Sequence, residues 1–365
     1  MTVAIRRNIL ILSSLLLAAA IAAPAFAQTA HTTGKLKQVA TMTIPGKTIN
    51  GFDISWVDQR TQRYYLADRD NSEVDIFDGR TDKFIGSIPG FVGPKKMNGK
   101  EDFDISGPAG VLTYGDTAWV GDGDSTAKEV DLKTMKIIAT VPTGGKHRFD
   151  EIAYDPKDHV LAGGNGDEDP PFAALVSTTQ HKLIAQVPFK SATDGLEAPA
   201  YDSANGMFYF SVPEFNHDPK QGGVAIISPQ GKLVKILPVE ACHPSGIVFG
   251  PHQHFLLGCS ASGREGMPAI FVVMNARTGK VAATIHGAGG ADEVAYSSKN
   301  HEYYTASAGM GGVFVIDALT NKLVEKIPTG GHAHSVAASD VTGKVFVPEG
   351  TTGGCGCIRV FAPAM

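Results

Sequence analysis

The chain has 365 residues, of which 42 are glycine and 43% are hydrophobic, and it carries a formal net charge of −5. This mildly acidic balance, without any block of lysine or arginine, argues against nucleic acid as a partner. Segments of Val, Ile, Thr, Phe and Tyr bounded by Gly, Asn, Asp and Pro are strand-and-turn chemistry, so an all-β protein is expected rather than a helical one.

In chain order, Arg6 and Arg7 precede an apolar run from Ile9 to Ala22 and an A-x-A-like site in "APAFAQ". Residues 1–27 therefore read as a signal peptide, with residues 28–365 as the mature chain. Ile5 stands where a twin-arginine signal usually has Ser and no Lys closes the motif, which favours Sec export over Tat. No later apolar run is long enough for a membrane span. A periplasmic or secreted protein is the expectation, acting as a monomer.

From residue 52 onward one pattern recurs every 40 to 50 residues: a short apolar strand, a polar turn and a second apolar strand. Its copies include "FDISWVDQRTQRYYLADRD", "PAGVLTYGDTAWVGDGD", "FDEIAYDPKDHVLAGGNG", "LEAPAYDSANGMFYFSVPE", "PSGIVFGPHQHFLLGCSAS", "ADEVAYSSKNHEYYTASAG" and "AHSVAASDVTGKVFVPEG". A third strand such as "VFVID" and a Lys-led fourth such as "KIIATVP" or "KLVEKIP" follow. Seven units of four strands predict a single seven-bladed β-propeller. The last unit ends after its third strand, "CIRVFAPAM", whereas the mature chain starts on an unpaired fourth-type strand, "KLKQVATMTIPG". The N-terminal strand is thus predicted to complete the last blade and close the ring.

The units "CHPSGIVFGPHQHFLLG" and "GGADEVAYSSKNHEYYTASAGMGGVFVID" resemble those of the YncE-like, YVTN-repeat propellers of bacterial secreted proteins. The Y-V-T-N string itself is replaced here by "YLAD", "WVGD", "YFSV", "YTAS" and "FVPE". The resemblance implies a ligand-binding or protein-interaction module outside the cytoplasm, its partner a small molecule or an extracytoplasmic protein. Propellers host many activities, so function has to be argued from the site.

In such a ring each innermost strand begins at the channel mouth. The entrances carry Asp53, Asp150, Glu151, Glu197, Asp292 and Glu293, which form the expected ligand-binding set; Arg148, His243 and His332 lie just before three of the strands, and His334 begins the last. Convergent carboxylates repel unless a cation lies among them or some remain protonated. His243, His332, His334 and Glu293 are candidate ligands for a divalent metal cofactor. His-x-His in extended backbone would aim both rings at one face. Mixed imidazole and carboxylate donors suit Zn, Mn or Ni, and an acid-dominated site suits Ca or Mg. The alternative is a wet mouth whose acids face water or cap strand ends.

If the mouth is catalytic, a metal-assisted lactonase or lyase would use His243, His334 and Glu197. At the ends of the second strands Asp68, Asp122, Asn165, Glu214, Ser260 and Glu349 add polar groups. "SASGREG" shows no serine-hydrolase elbow and no ordered His-Asp partner. Trp56 and Trp119 lie inside strand patterns and read as core. The insertion "KKMNGKEDFD", 95–104, is a lid, a partner contact or an edge cover.

Cys242 precedes the first strand of the fifth unit and Cys259 ends its second, so the hairpin places them opposite one another as a structural disulfide. Cys355 and Cys357 read either as a C-x-C disulfide or as a thiolate pair in a soft-metal site, which would suit a metal-handling or cofactor-maturation protein. Pairings that mix the two couples remain open.

Overall fold

The computed structural model describes residues 35–260, 266–330 and 332–364. The signal-peptide expectation lies outside them. Seven antiparallel four-stranded sheets form the blades, joined by short loops. Their first strands are Ser55–Val57, Val111–Tyr114, Ile152–Asp155, Pro199–Asp202, Pro244–Phe249, Val294–Ser297 and Ala337–Ala338. Each packs against the first strand of the next blade, and the last against the first, so together they wall an axial channel. This is the seven-bladed propeller that the repeat predicts.

Closure follows the predicted route. Leu36–Met42 runs antiparallel to Cys357–Pro363, with Leu36 opposite Pro363 and Met42 opposite Ile358. The seventh sheet is thereby built from both ends of the described chain, and two open strand edges disappear.

Burial explains the repeat's composition. Second and third strands are covered on both faces by neighbouring blades, so "VLAGGN" and "FAALVS" are buried almost throughout. Fourth strands form the rim, and "KIIATVP" alternates exposed with covered positions. Seven apolar clusters occupy the seven blade interfaces: Trp119, Leu161 and Phe149 between the second and third blades, for example, and Tyr64, Phe77 and Phe346 between the seventh and first. Every fourth strand also carries a register shift against its neighbour, as between Glu129 and Val130 or Val315 and Ile316. Such bulges raise local twist and turn the rim strands away from edge-to-edge pairing.

Two glycines let the first strands approach one another. A Cβ on Gly110 would lie 2.6 Å from the Asp150 carbonyl oxygen, and one on Gly246 would lie 2.3 Å from that of Asp292. These close approaches join the first strand of the second blade to that of the third beside Asp150 and Glu151, and that of the fifth to that of the sixth beside Asp292 and Glu293.

Cys242 and Cys259 form the expected disulfide, with Cα atoms 4.7 Å apart. Cys355 is bonded to Cys357, and no free cysteine remains. The structure therefore corrects the soft-metal alternative, because oxidised sulfurs are not thiolate ligands. Trp119 is core at 2% exposure, but Trp56 is 38% exposed and lines the channel, with its indole N–H donating to Thr113. Its side chain alternates onto the channel face of a first strand, which corrects the core reading.

Candidate functional site at the channel mouth

Arg148 organises one side of the mouth. Its guanidinium reaches Asp150 at 2.9 Å, Asp167 at 3.0 Å and Asp53 at 3.3 Å. Burial opposes its charge, yet Asp150, Asp53 and Asp167 together hold the proton well above the ordinary arginine value. Asp53 is also held by Arg69 at 2.9 Å, and Arg69 reaches Glu101 at 3.4 Å and lies over the Phe103 ring. The 95–104 insertion thus packs onto the mouth, where Asp104 accepts the Arg148 backbone N–H through its carbonyl and lines a cavity of about 330 Å³ with Arg148, Asp150, Asp167 and Glu197. It covers part of the rim, and neither a lid motion nor a partner is needed to explain it.

On the other side Glu151, Glu197 and Asp292 form no ion pair with a described residue, and the charge of Arg148 is felt only at Glu197 among their leading influences. Carboxylate oxygens of Glu151, Glu197 and Asp292 lie within 4.8 Å of one another. Their hydrogen-bond donor is the Ser245 hydroxyl, 2.7 Å from Asp292 and 3.4 Å from Glu197. Glu151 is 8% exposed, and its Oε2 has no hydrogen-bond partner. Burial, then the charges of Asp150 and Asp292, push its proton affinity well above the usual carboxyl range. Burial followed by Asp292 does the same to Glu197. Asp150 rises to about 7, chiefly through burial and against the pull of Arg148. Glu293 rises to about 8 through burial, although the Ser335 hydroxyl and the Val336 N–H donate to its carboxylate.

His243 forms a separate group. Its ring nitrogens meet Asp194 at 2.7 Å and Ser260 at 2.8 Å, and His243, Asp194 and Glu214 offer ligand atoms within 4.8 Å of one another. Asp194 lies one residue before the place that Arg148 and His243 hold ahead of the first strands of the units on either side, so its neighbourhood, though not its exact register, was legible from the repeats. The Ser260 hydroxyl also donates to the His243 carbonyl at 3.0 Å.

The His-x-His pair departs from expectation. His332 has φ of +63°, so the backbone turns there, and the His334 Nδ1 lies 2.8 Å from the His332 carbonyl oxygen. The His334 ring stacks on Phe52 at 4.7 Å, and His332 is exposed. The extended-strand geometry behind the shared-ligand expectation is absent. The four candidate metal residues have different partners: His243 with Asp194, Glu293 with Ser335, His334 with Phe52, and His332 with solvent. Likewise His243, His334 and Glu197, the candidate catalytic set, do not share contacts. Of the acids at second-strand ends, Asp122 pairs with Lys128, Glu349 with Arg359, and Asp68 caps the turn at Asn71. They stabilise strand ends.

Below the carboxylates lies a channel cavity of about 500 Å³, bounded at its head by Glu151 and Glu293 and walled by Ile54, Trp56, Tyr114, Tyr154, Tyr201 and Phe249 among others. The Tyr114 and Tyr154 rings meet with centroids 4.6 Å apart, tilted by 49°. The alternation of side chains along five first strands turns these rings inward, which sequence alone could not show for strands of three to six residues.

Seven four-stranded blades around a channel with a carboxylate-lined mouth define a seven-bladed β-propeller. No protein-family model matches the sequence, and no curated protein matches it significantly. Among solved structures the chain is similar to hydrazine synthase of Kuenenia stuttgartiensis, with a TM-score of 0.69 over 88% of this chain and 99% of that one, at 14% identity. At that identity the likeness is one of fold. No helix among the described residues is long and apolar enough to cross a membrane.

Proposed function

We propose that this is an extracytoplasmic, YncE-like propeller that binds a positively charged ligand at its channel mouth. The observation that carries the reading is the convergence of Glu151, Glu197 and Asp292 without an ion-pair partner among the described residues, beside an Arg148 already engaged by three other carboxylates. Like charges brought this close and buried require either protons or a cationic guest. Two disulfides support an oxidising compartment.

The reading is tested by thermal unfolding at pH 8 with added Mn²⁺ or methylammonium, beside the Glu151→Gln, Asp292→Asn variant. A cation that binds only the folded state stabilises it by about 2.7 kcal/mol at a hundredfold excess over Kd. The expected result is a concentration-dependent rise in Tm for the wild type that the variant lacks. Equal shifts in both proteins would assign the effect to the surface at large.

A further inference from the structure

Glu151 belongs both to the carboxylate cluster and, with Glu293, to the head of the channel cavity, and that shared residue tells what kind of cation the cluster receives. A hard divalent ion takes six or more oxygens and has no use for an apolar chamber beneath it. An ammonium head offers up to three N–H donors, matching three carboxylates, and leaves its carbon substituent to be buried. The cavity of about 500 Å³ lies in the range that encloses a small organic molecule. Glu151 and Tyr154 stand at its two ends on one strand, three residues and therefore roughly 10 Å apart. The far end is aromatic, with Trp56 and Tyr114 38% and 45% exposed to the channel side. The Oε2 of Glu151, a residue that lines the cavity, is a buried acceptor without a hydrogen-bond partner.

We infer that the ligand is an amphipathic organic cation, an amine whose ammonium head is held by Glu151, Glu197 and Asp292 and whose apolar body fills the channel toward Trp56 and Tyr154. This rests on the cation-binding reading above and adds the substrate class. Charge selects the head, and apolar area against the rings supplies most of the affinity. Neutral or anionic molecules of the same shape are disfavoured, since they leave the carboxylates uncompensated.

Calorimetric titration of the purified protein at pH 8 with 4-phenylbutylamine, 4-phenylbutanol and methylammonium tests it, with Trp56 fluorescence as a second readout. The amine is expected to bind with a stoichiometry of one, at least tenfold tighter than the alcohol. Ala200→Leu, which fills the channel, should remove amine binding while methylammonium stabilisation persists; Tyr114→Ala, at an exposed wall position, should weaken it severalfold if the first variant fails to fold. An alcohol that binds as tightly as the amine would overturn the proposal, as would amine binding indifferent to both variants. Methylammonium acting at the mouth without amine uptake would overturn the channel inference and leave the mouth reading standing. No binding by either cation would overturn both.

Discussion

Ligand-free protein should lose stability as pH rises from 5 to 9, opposite to a protein held together by ionised carboxylates. Burial holds Glu293 at about 8 against an ordinary 4.5, and Asp150 at about 7 against 3.8. Between the ordinary and the raised values the folded protein keeps protons that the unfolded chain has released. Each group then lowers stability by about 1.4 kcal/mol per pH unit, a loss that is complete above the raised value. Two such groups between pH 5 and 7, and Glu293 alone to pH 8, contribute about 7 kcal/mol before any screening. Water entering the wet mouth and partial relaxation reduce this to about 3–5 kcal/mol. Urea unfolding of metal-free protein at unit steps of pH measures it, with the Asp150→Asn, Glu293→Gln variant expected to flatten the slope. Stability that is constant or rises between pH 6 and 8 would refute the buried-acid account of the mouth.

The Cys242–Cys259 disulfide closes a 17-residue separation, so replacing both cysteines with alanine should cost about 3 kcal/mol, read from denaturant unfolding. Replacing Cys355 and Cys357, two residues apart, should cost far less by the same assay, because the closed loop is minimal. Gly246→Ala should destabilise by about 1–3 kcal/mol, since the new methyl would press on the Asp292 backbone; wild-type stability would count against the close strand approach. The His332→Ala, His334→Ala variant should fold normally and lose only about 1 kcal/mol, the worth of the stack on Phe52. Loss of the fold in that variant would contradict an exposed mouth position for the pair.

The architecture was legible because the repeat encodes burial. Strands covered on both faces read as apolar runs, rim strands alternate, and the unmatched "KLKQVATMTIPG" and "CIRVFAPAM" announce each other as partners. The mouth was half legible. Period alignment put Asp150, Glu151, Glu197, Asp292 and Glu293 at strand entrances, and the structure brings three of them together with Asp150 and Glu293 beside them. It could not show that Arg148 forms its ion pairs with Asp53, Asp150 and Asp167 rather than with the Glu151, Glu197 and Asp292 group, because that depends on guanidinium reach across blades. His332 and His334 misled because His-x-His implies extended backbone, whereas His332 sits at positive φ. Trp56 looked like core because its strand alternates as others do; only the ring's closure shows that its outward face is a channel. Asp194 escaped because "TDGLE" has no chemistry-bearing motif until it is set beside His243 in the next unit.

The most direct test of the cation-binding mouth is diffraction from crystals grown at pH 8 and soaked separately with Mn²⁺ and with 4-bromophenethylamine, using anomalous scattering to locate manganese and bromine. The account predicts a cation between Glu151, Glu197 and Asp292, with the bromine signal in the channel near Trp56 and Tyr154. Crystals that take up neither at the mouth, or that hold both cations elsewhere on the surface, would contradict it.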